Sequence, residues 1–150
     1  MTRKSVRVFL DTSVIFAAVL SPAGGARKLF LLAEIEILKP VIGPAVLREC
    51  DEVFRRKAPR LMPVLAQLLA TVQIETSKVP SAGQIKAARA YVRYEPDALV
   101  LAEAIAAAPD WFITHDKQHF LKTRTKAKLP FEIGTPGDLI QKLKDDFSLL

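Results

Sequence analysis

Short apolar runs alternate with longer amphipathic stretches along the whole chain, and this alternation restricts the fold more than any other feature. VRVFLD, Val6 to Asp11, is rich in β-branched and aromatic residues with little polar alternation, the pattern of a strand covered on both faces. TSVIFAAVL then reads as a helix, and Ser21, Pro22, Gly24 and Gly25 punctuate its end. Residues from Ala26 to about Ile35 are predicted helical. A second strand lies within EILKPVIG, Glu36 to Gly43. Pro44 then opens the helix PAVLRECDEVFRRK, where a missing N–H does no harm. A helix from Pro59 to about Ala70 leads to a third strand, Val72 to Thr76, and Pro80 to Tyr94 is predicted mostly helical. Pro96 starts the alanine-rich helix PDALVLAEAIAAA. WFIT, Trp111 to Thr114, and FEIG, Phe131 to Gly134, are the fourth and fifth strands, and Pro136 opens a final amphipathic helix. Strands alternating with helices predict an α/β fold with a mostly parallel sheet covered on both faces. The 150 residues contain no repeat, low-complexity tract or linker, so one domain spanning 1–150 is expected.

The formal net charge is +6 and the isoelectric point about 9.6, a balance that favours polyanionic partners such as nucleic acid. Basic residues gather at Arg55, Arg56, Lys57 and Arg60, and again at Lys117, Lys122, Arg124 and Lys126. Either group reads equally as a solvated face. The single cysteine, Cys50, has no internal disulfide partner, which points to a reducing, cytoplasmic compartment. No Cys/His set suits a structural zinc site. Arg3, Lys4 and Arg7 before an apolar run are similar to a signal peptide, but Asp11 interrupts that run and none is expected. No stretch approaches the ~20 apolar residues that span a bilayer, so no membrane association is expected.

Four carboxylates stand at telling places. Asp11 closes the first strand, and Asp116 follows the fourth in ITHDKQHF. In open parallel sheets ligands bind beyond the carboxyl ends of strands, at the switch point of strand order. If these strands are neighbours, the two acids face one crevice. Asp11 alternatively caps the following helix, and Asp116 and Thr114 alternatively serve a turn. Asp97 lies in the first turn of its helix, where the dipole stabilises it in any case, but it shares the buried face of Leu101, Ala104, Ile105 and Ala108. Glu49 falls just outside the stripe Val46, Leu47, Cys50, Val53 and Phe54. Asp51 lies about as close on the other side, so helical geometry leaves both open, with surface pairing as the plain alternative. Four converging carboxylates repel one another unless a cation neutralises them. Oxygen donors without Cys or His favour Mg²⁺ or Mn²⁺, ions that support phosphodiester hydrolysis.

In order and spacing, VFLDTSVIFAAVLSP, GPAVLREC, EPDALVLAEA, DWFITHD and IGTPGDLI resemble the PIN-domain family of metal-dependent ribonucleases. Within it they are similar to the VapC-like branch of bacterial toxins from toxin–antitoxin pairs. The resemblance runs from near residue 6 to near 140. It implies a three-layer α/β/α fold with a five-stranded parallel sheet in the order 3-2-1-4-5, so that the first and fourth strands are adjacent. It also selects Glu49, two residues after Leu47, over Asp51. Asp97 matches the acid four residues before the helix leucine, here Leu101. Asp116 matches the acid of the threonine–x–aspartate turn, with Thr114 its companion, and Ser13 matches the small polar residue that supports the first acid. Glu95 stands near a further acidic position of the family, an outer-shell candidate separated from Asp97 by Pro96.

The resemblance therefore implies RNA hydrolysis with Mg²⁺ or Mn²⁺. Asp11, Asp97 and Asp116 are the expected metal ligands, and Glu49 binds through water or orients the attacking water. Ser13, Thr114, Lys117, Lys122 and Arg124 are the expected substrate contacts, with Lys126 adding charge. His115 and His119 read as surface loop residues. Most aromatic residues fall in apolar patterns, with Tyr91 and Tyr94 as exceptions available to bases. An antitoxin is the implied protein partner, and a homodimer could use apolar surface around Phe30 to Leu32 or Leu61 to Leu69. A catalytically inert RNA-binding module is the non-enzymatic alternative. An aspartate-based phosphatase is the enzymatic one, but it needs a second acid where Ser13 stands. SPAGGARK is no P-loop, because no Gly-Lys-Ser/Thr follows.

Overall fold

The computed structural model describes residues 4–122 and 128–148. Five parallel strands form one sheet: β1 (Val6–Leu10), β2 (Leu38–Ile42), β3 (Glu75–Thr76), β4 (Trp111–Ile113) and β5 (Glu132–Gly134). Their order is β3-β2-β1-β4-β5, as the family resemblance implies. The helices are α1 (Thr12–Leu20), α2 (Gly25–Glu34), α3 (Pro44–Lys57), α4 (Met62–Ala70), α5 (Ala82–Arg89), α6 (Glu95–Ala107) and α7 (Pro136–Ser148). Consecutive residues Val8, Phe9 and Leu10 of β1 are all buried. Successive strand residues point to opposite faces, so helices cover the sheet on both sides, a three-layer α/β/α arrangement. Phe9 stacks on Phe112 at 5.5 Å between ring centroids, and Phe112 meets Phe120 at 4.9 Å, binding the two central strands to the chain that follows β4.

The first-turn prolines work as their chemistry dictates, opening α3 and α6 where the lost N–H would have had no partner. Other boundaries differ from expectation for local reasons. The predicted helix from Pro59 to Ala70 is broken into a 3₁₀ turn, Pro59–Leu61, and α4. Pro63 cannot donate to the carbonyl of residue 59, so a continuous helix is not available there. The third strand is confined to Glu75–Thr76, because Thr71 and Val72 close α4. The Thr71 N–H donates to the Gln67 carbonyl at 3.1 Å and its hydroxyl to the Leu68 carbonyl at 2.9 Å. The predicted helix over Pro80 to Tyr94 shrinks to α5. A reciprocal capping box between Ser81 and Gln84 sets its start, and a turn in which the Tyr91 and Val92 N–H groups both reach the Ala88 carbonyl ends it. Trp111–Ile113 is one residue shorter than expected, and Thr114 begins the loop.

Of the apolar surface suggested for a second copy, Phe30, Leu65 and Leu68 belong to the core, whereas Leu31 is 52% exposed. Among the described residues no single helix is long and apolar enough to cross a membrane.

Candidate active site

Chain direction and strand order bring two loops together at the carboxyl end of the sheet. Leu10 pairs with Ile113, and the Asp11 N–H donates to the Ile113 carbonyl at 3.1 Å, so Asp11 and Thr114 leave adjacent strands side by side. Asp11 occupies the residue before α1, yet its side chain makes no capping bond to that helix. Its Oδ2 instead accepts from Thr114 Oγ1 at 2.8 Å and from Ser13 Oγ at 2.9 Å. Each hydroxyl in turn accepts a backbone N–H from the β4 loop, Asp116 to Thr114 at 2.9 Å and His115 to Ser13 at 3.0 Å. Asp11 is only 6% exposed and Thr114 is fully buried. Thr114 therefore orients Asp11 and the loop and is closed to direct substrate contact, unlike the role expected for it. The half-buried Ser13 hydroxyl is engaged in the same way.

Asp97 enters from the first turn of α6 and Asp116 from the β4 loop. Between them stands His119, on the helical turn Lys117–Leu121. Its Nδ1 lies 2.9 Å from Asp116 Oδ2 and 2.9 Å from Asp97 Oδ2. Its backbone N–H also donates to Asp116 Oδ1 at 3.0 Å. The expectation of a surface loop histidine is thus corrected: a turn of helix after Asp116 folds His119 back onto both acids. The spacing Asp116 to His119, three residues, is the sequence signal that a helical turn would convert into contact. One donor atom from each of Asp97, Asp116 and His119 fits within 4.8 Å, the separation one metal ion can bridge. Asp11 is outside that group but is joined to it through Thr114.

Glu49 projects from α3 at the solvent edge. Partial burial raises its pKa first, and then the negative charges of Asp11 and Asp97 raise it further, so it faces the same rim. Asp51 takes the other course: its Oδ2 accepts from Arg55 Nε at 2.9 Å on the exposed face. Glu95 is likewise turned away, ion-paired with Arg89 at 2.9 Å. Lys122 lies exposed beyond His119. Arg124 and Lys126 fall outside the described residues, as does the side chain of Lys117.

The electrostatics follow from four acids sharing a half-buried crevice. Asp11 has its pKa raised mainly by burial, against the lowering effect of the Thr114 and Ser13 hydroxyls, and the Asp116 charge adds to the rise. Asp97 is pushed up to about 6, again first by burial, with His119 opposing and the Asp116 and Asp11 charges reinforcing. His119 is held more basic than a free imidazole, chiefly by its bond to Asp116. Among the described residues none of the four acids is ion-paired with lysine or arginine. The buried Asp97 Oδ2, although close to His119, receives no hydrogen bond. A carboxylate oxygen out of water and without a donor is costly unless a cation completes it.

A fifth acid was not singled out by sequence reasoning. Glu103, on α6, is 2% exposed and its Oε2 accepts from the Ala45 N–H at 2.8 Å, capping α3 from a neighbouring element. A Cβ at Gly43 would lie 2.1 Å from Glu103 Oε1, so glycine is what lets the carboxylate reach the helix end. The available signal was one charge in the otherwise apolar run from Ala98 to Ala108. Glu103 fixes where α3 begins, and hence where Glu49 points.

An open α/β sheet with an acidic crevice at its switch point defines the structural class. The chain belongs to the PIN-domain family, whose model matches residues 7–118. No curated protein sequence matches it significantly. Solved structures share the fold at low identity. A VapBC2 complex from Rickettsia felis, bound to a DNA fragment from its promoter, is 18% identical, covers 85% of this chain and 97% of the other, and superposes with a TM-score of 0.59. For DNA-bound VapBC from Salmonella typhimurium the values are 17%, 87%, 98% and 0.62. For PAE2754 from Pyrobaculum aerophilum they are 15%, 93%, 92% and 0.60.

Proposed function

We propose that this protein is a divalent-metal-dependent ribonuclease and the toxin of a toxin–antitoxin pair. The observation that carries the reading is the convergence of donor atoms from Asp97, Asp116 and His119 within 4.8 Å, in a crevice where no described lysine or arginine pairs with the acids. The carboxylate oxygens of Asp97 and Asp116 suit Mg²⁺ or Mn²⁺, with His119 beside the ion rather than bound to it. Asp97 and Asp116 would hold the ion, with Asp11 and Glu49 completing the negative field. A bound ion would supply charge neutralisation at the phosphoryl oxygens and a more acidic water.

The chain's own groups do the rest. Ser13 and Thr114 keep Asp11 aimed at the crevice. Glu49, at the solvent edge with a raised pKa, orients the attacking water and takes its proton. Lys122, with Lys117, Arg124 and Lys126 nearby in sequence, holds the RNA backbone by charge, in keeping with the net charge of +6. Family membership and the VapBC complexes among the structural relatives support an antitoxin partner, with a homodimer as the companion assembly and the cytoplasm as the compartment.

The test is incubation with end-labelled RNA, with and without EDTA, beside Asp11→Asn and Asp97→Asn. Metal-dependent cleavage lost in both variants supports the reading. Cleavage that persists in EDTA, or at the wild-type rate in Asp97→Asn, removes the proposed site from the mechanism.

A further inference from the structure

Beside the acidic crevice lies an open cleft of about 550 Å³, formed by the turn between α5 and α6 and by the helical turn after β4. Its lining is unlike that of the crevice. Tyr91, Arg93 and Tyr94 come from one side, and Gln118, His119 and Lys122 from the other. Among the described residues it offers aromatic rings, two cationic side chains and an amide, and no carboxylate. The Tyr94 ring stacks on the His119 imidazole, with centroids 5.6 Å apart and planes within 20° of parallel. Tyr94 is nevertheless 58% exposed, and Tyr91 is exposed as well.

Neither tyrosine serves the core. The segment bearing them is held firmly from below. Ala88 and Val92 are buried, and the Tyr91 and Val92 N–H groups both bond to the Ala88 carbonyl. The Tyr94 carbonyl accepts from Ala98 at 2.9 Å, tying the ring to the first turn of α6, the turn that also carries Asp97. The same turn therefore presents an acid to the crevice and an aromatic face to the cleft, and His119 touches both.

We propose that this cleft is a base-binding subsite for a single-stranded RNA substrate, seating the nucleotide next to the scissile phosphate. The proposal rests on the ribonuclease reading above and names what that site recognises. An unpaired base stacks on the exposed aromatic surface of Tyr94 and Tyr91, continuing the column that His119 begins. Stacking of this kind tolerates any base and demands that it be unpaired. Arg93 and Lys122 flank the column, where they meet the phosphates on either side. Gln118 carries both an amide donor and an acceptor, the equipment for reading a base edge. A paired duplex cannot deliver a base to this cleft, so the subsite selects loops and single strands.

The experiment measures binding without turnover. A fluorescein-labelled single-stranded RNA and a hairpin stem of the same length are titrated in EDTA with wild type, Tyr94→Ala and Tyr94→Phe. Fluorescence anisotropy reports binding, and circular dichroism confirms folding. Wild type is expected to prefer the single strand. Tyr94→Ala should weaken single-strand binding roughly tenfold or more, while Tyr94→Phe, which keeps the ring, restores it. In cleavage assays with metal, Tyr94→Ala should raise KM by a similar factor. If Tyr94→Ala binds the single strand as wild type does while Asp97→Asn still abolishes cleavage, the subsite is refuted and the ribonuclease reading survives. If wild type binds neither RNA and cleaves none, both fall together.

Discussion

The two ends of the sheet treat the same side-chain chemistry in opposite ways. Toward the amino end, Glu75 is ion-paired with Arg7, with Lys39 at 4.0 Å, and Asp110 accepts the Arg7 N–H at 2.8 Å. At the carboxyl end, Asp11, Glu49, Asp97 and Asp116 crowd one crevice, and among the described residues only the imidazole of His119 offers them a cationic side chain. The first arrangement lowers the energy of the fold as it stands. The second raises carboxylate pKa values and leaves Asp97 Oδ2 to share one imidazole with Asp116. Separate ion pairs at one end and a single imidazole shared between acids at the other fit the proposal that the second set serves a ligand.

The largest expected contrast comes from substituting one acid at each end. Asp97→Asn should reduce RNA cleavage by roughly a hundredfold or more, because several kcal/mol of charge stabilisation would depend on the ion it is proposed to hold. Glu75→Gln should leave cleavage within about twofold, its loss being confined to a part-exposed ion pair. Initial rates on labelled RNA decide it, and equal losses at the two ends would erase the distinction.

Gly43→Ala tests the structural role of Glu103, whose Oε2 holds the start of α3 while its Oε1 has no partner. The added methyl would displace its carboxylate from the start of α3 and leave the Ala45 N–H without its partner. The expected loss is about 1–3 kcal/mol in urea unfolding, the usual penalty for an unsatisfied buried group. Glu103→Gln, which still presents an acceptor, should lose less.

The pH dependence sharpens the comparison further. The Asp97 carboxyl ionises at about 6 in the fold, against 3.8 in a free chain. As pH rises between these values the unfolded chain releases this proton first. The metal-free fold therefore loses stability across that window with rising pH, and the loss levels off above about 6. Asp97→Asn should remove this slope from the melting temperature measured in EDTA. A Mn²⁺ ion bound there would compete with the same proton, so its affinity should fall as pH drops below the Asp97 value, with the His119 proton adding to the competition above it. The smallest effect is expected at the amino end, where Glu75→Gln should cost roughly 0.2–1 kcal/mol in the same unfolding assay.

Much of this architecture was legible in the sequence because each cue was local. Prolines mark first turns, and apolar runs mark buried strands. The boundaries that shifted depend on partners remote in sequence or on single donors: β3 pairs only where Val41 and Ile42 reach it, and α5 starts where Ser81 and Gln84 lock. At the site, the positions of Asp11 and Asp116 followed from strand ends and strand order. Helical periodicity could not separate Glu49 from Asp51, since both flank the buried stripe, and only the Arg55 partner and the shared field of the rim divide them. Thr114 read as a possible ligand contact, whereas the fold turns its hydroxyl inward to Asp11. The three-residue spacing of His119 from Asp116 becomes a contact only through a helical turn the sequence reading did not place, and the partners of His119 on α6 and of Glu103 on α3 lie across element boundaries that no local cue spans.

Calorimetric titration of Mn²⁺ into the wild-type protein and Asp97→Asn, above the pH at which Asp97 ionises, bears most directly on the acids at the carboxyl end of the sheet. Saturable binding to wild type that disappears in Asp97→Asn is the predicted result. No binding to wild type, or equal binding to both proteins, would contradict it.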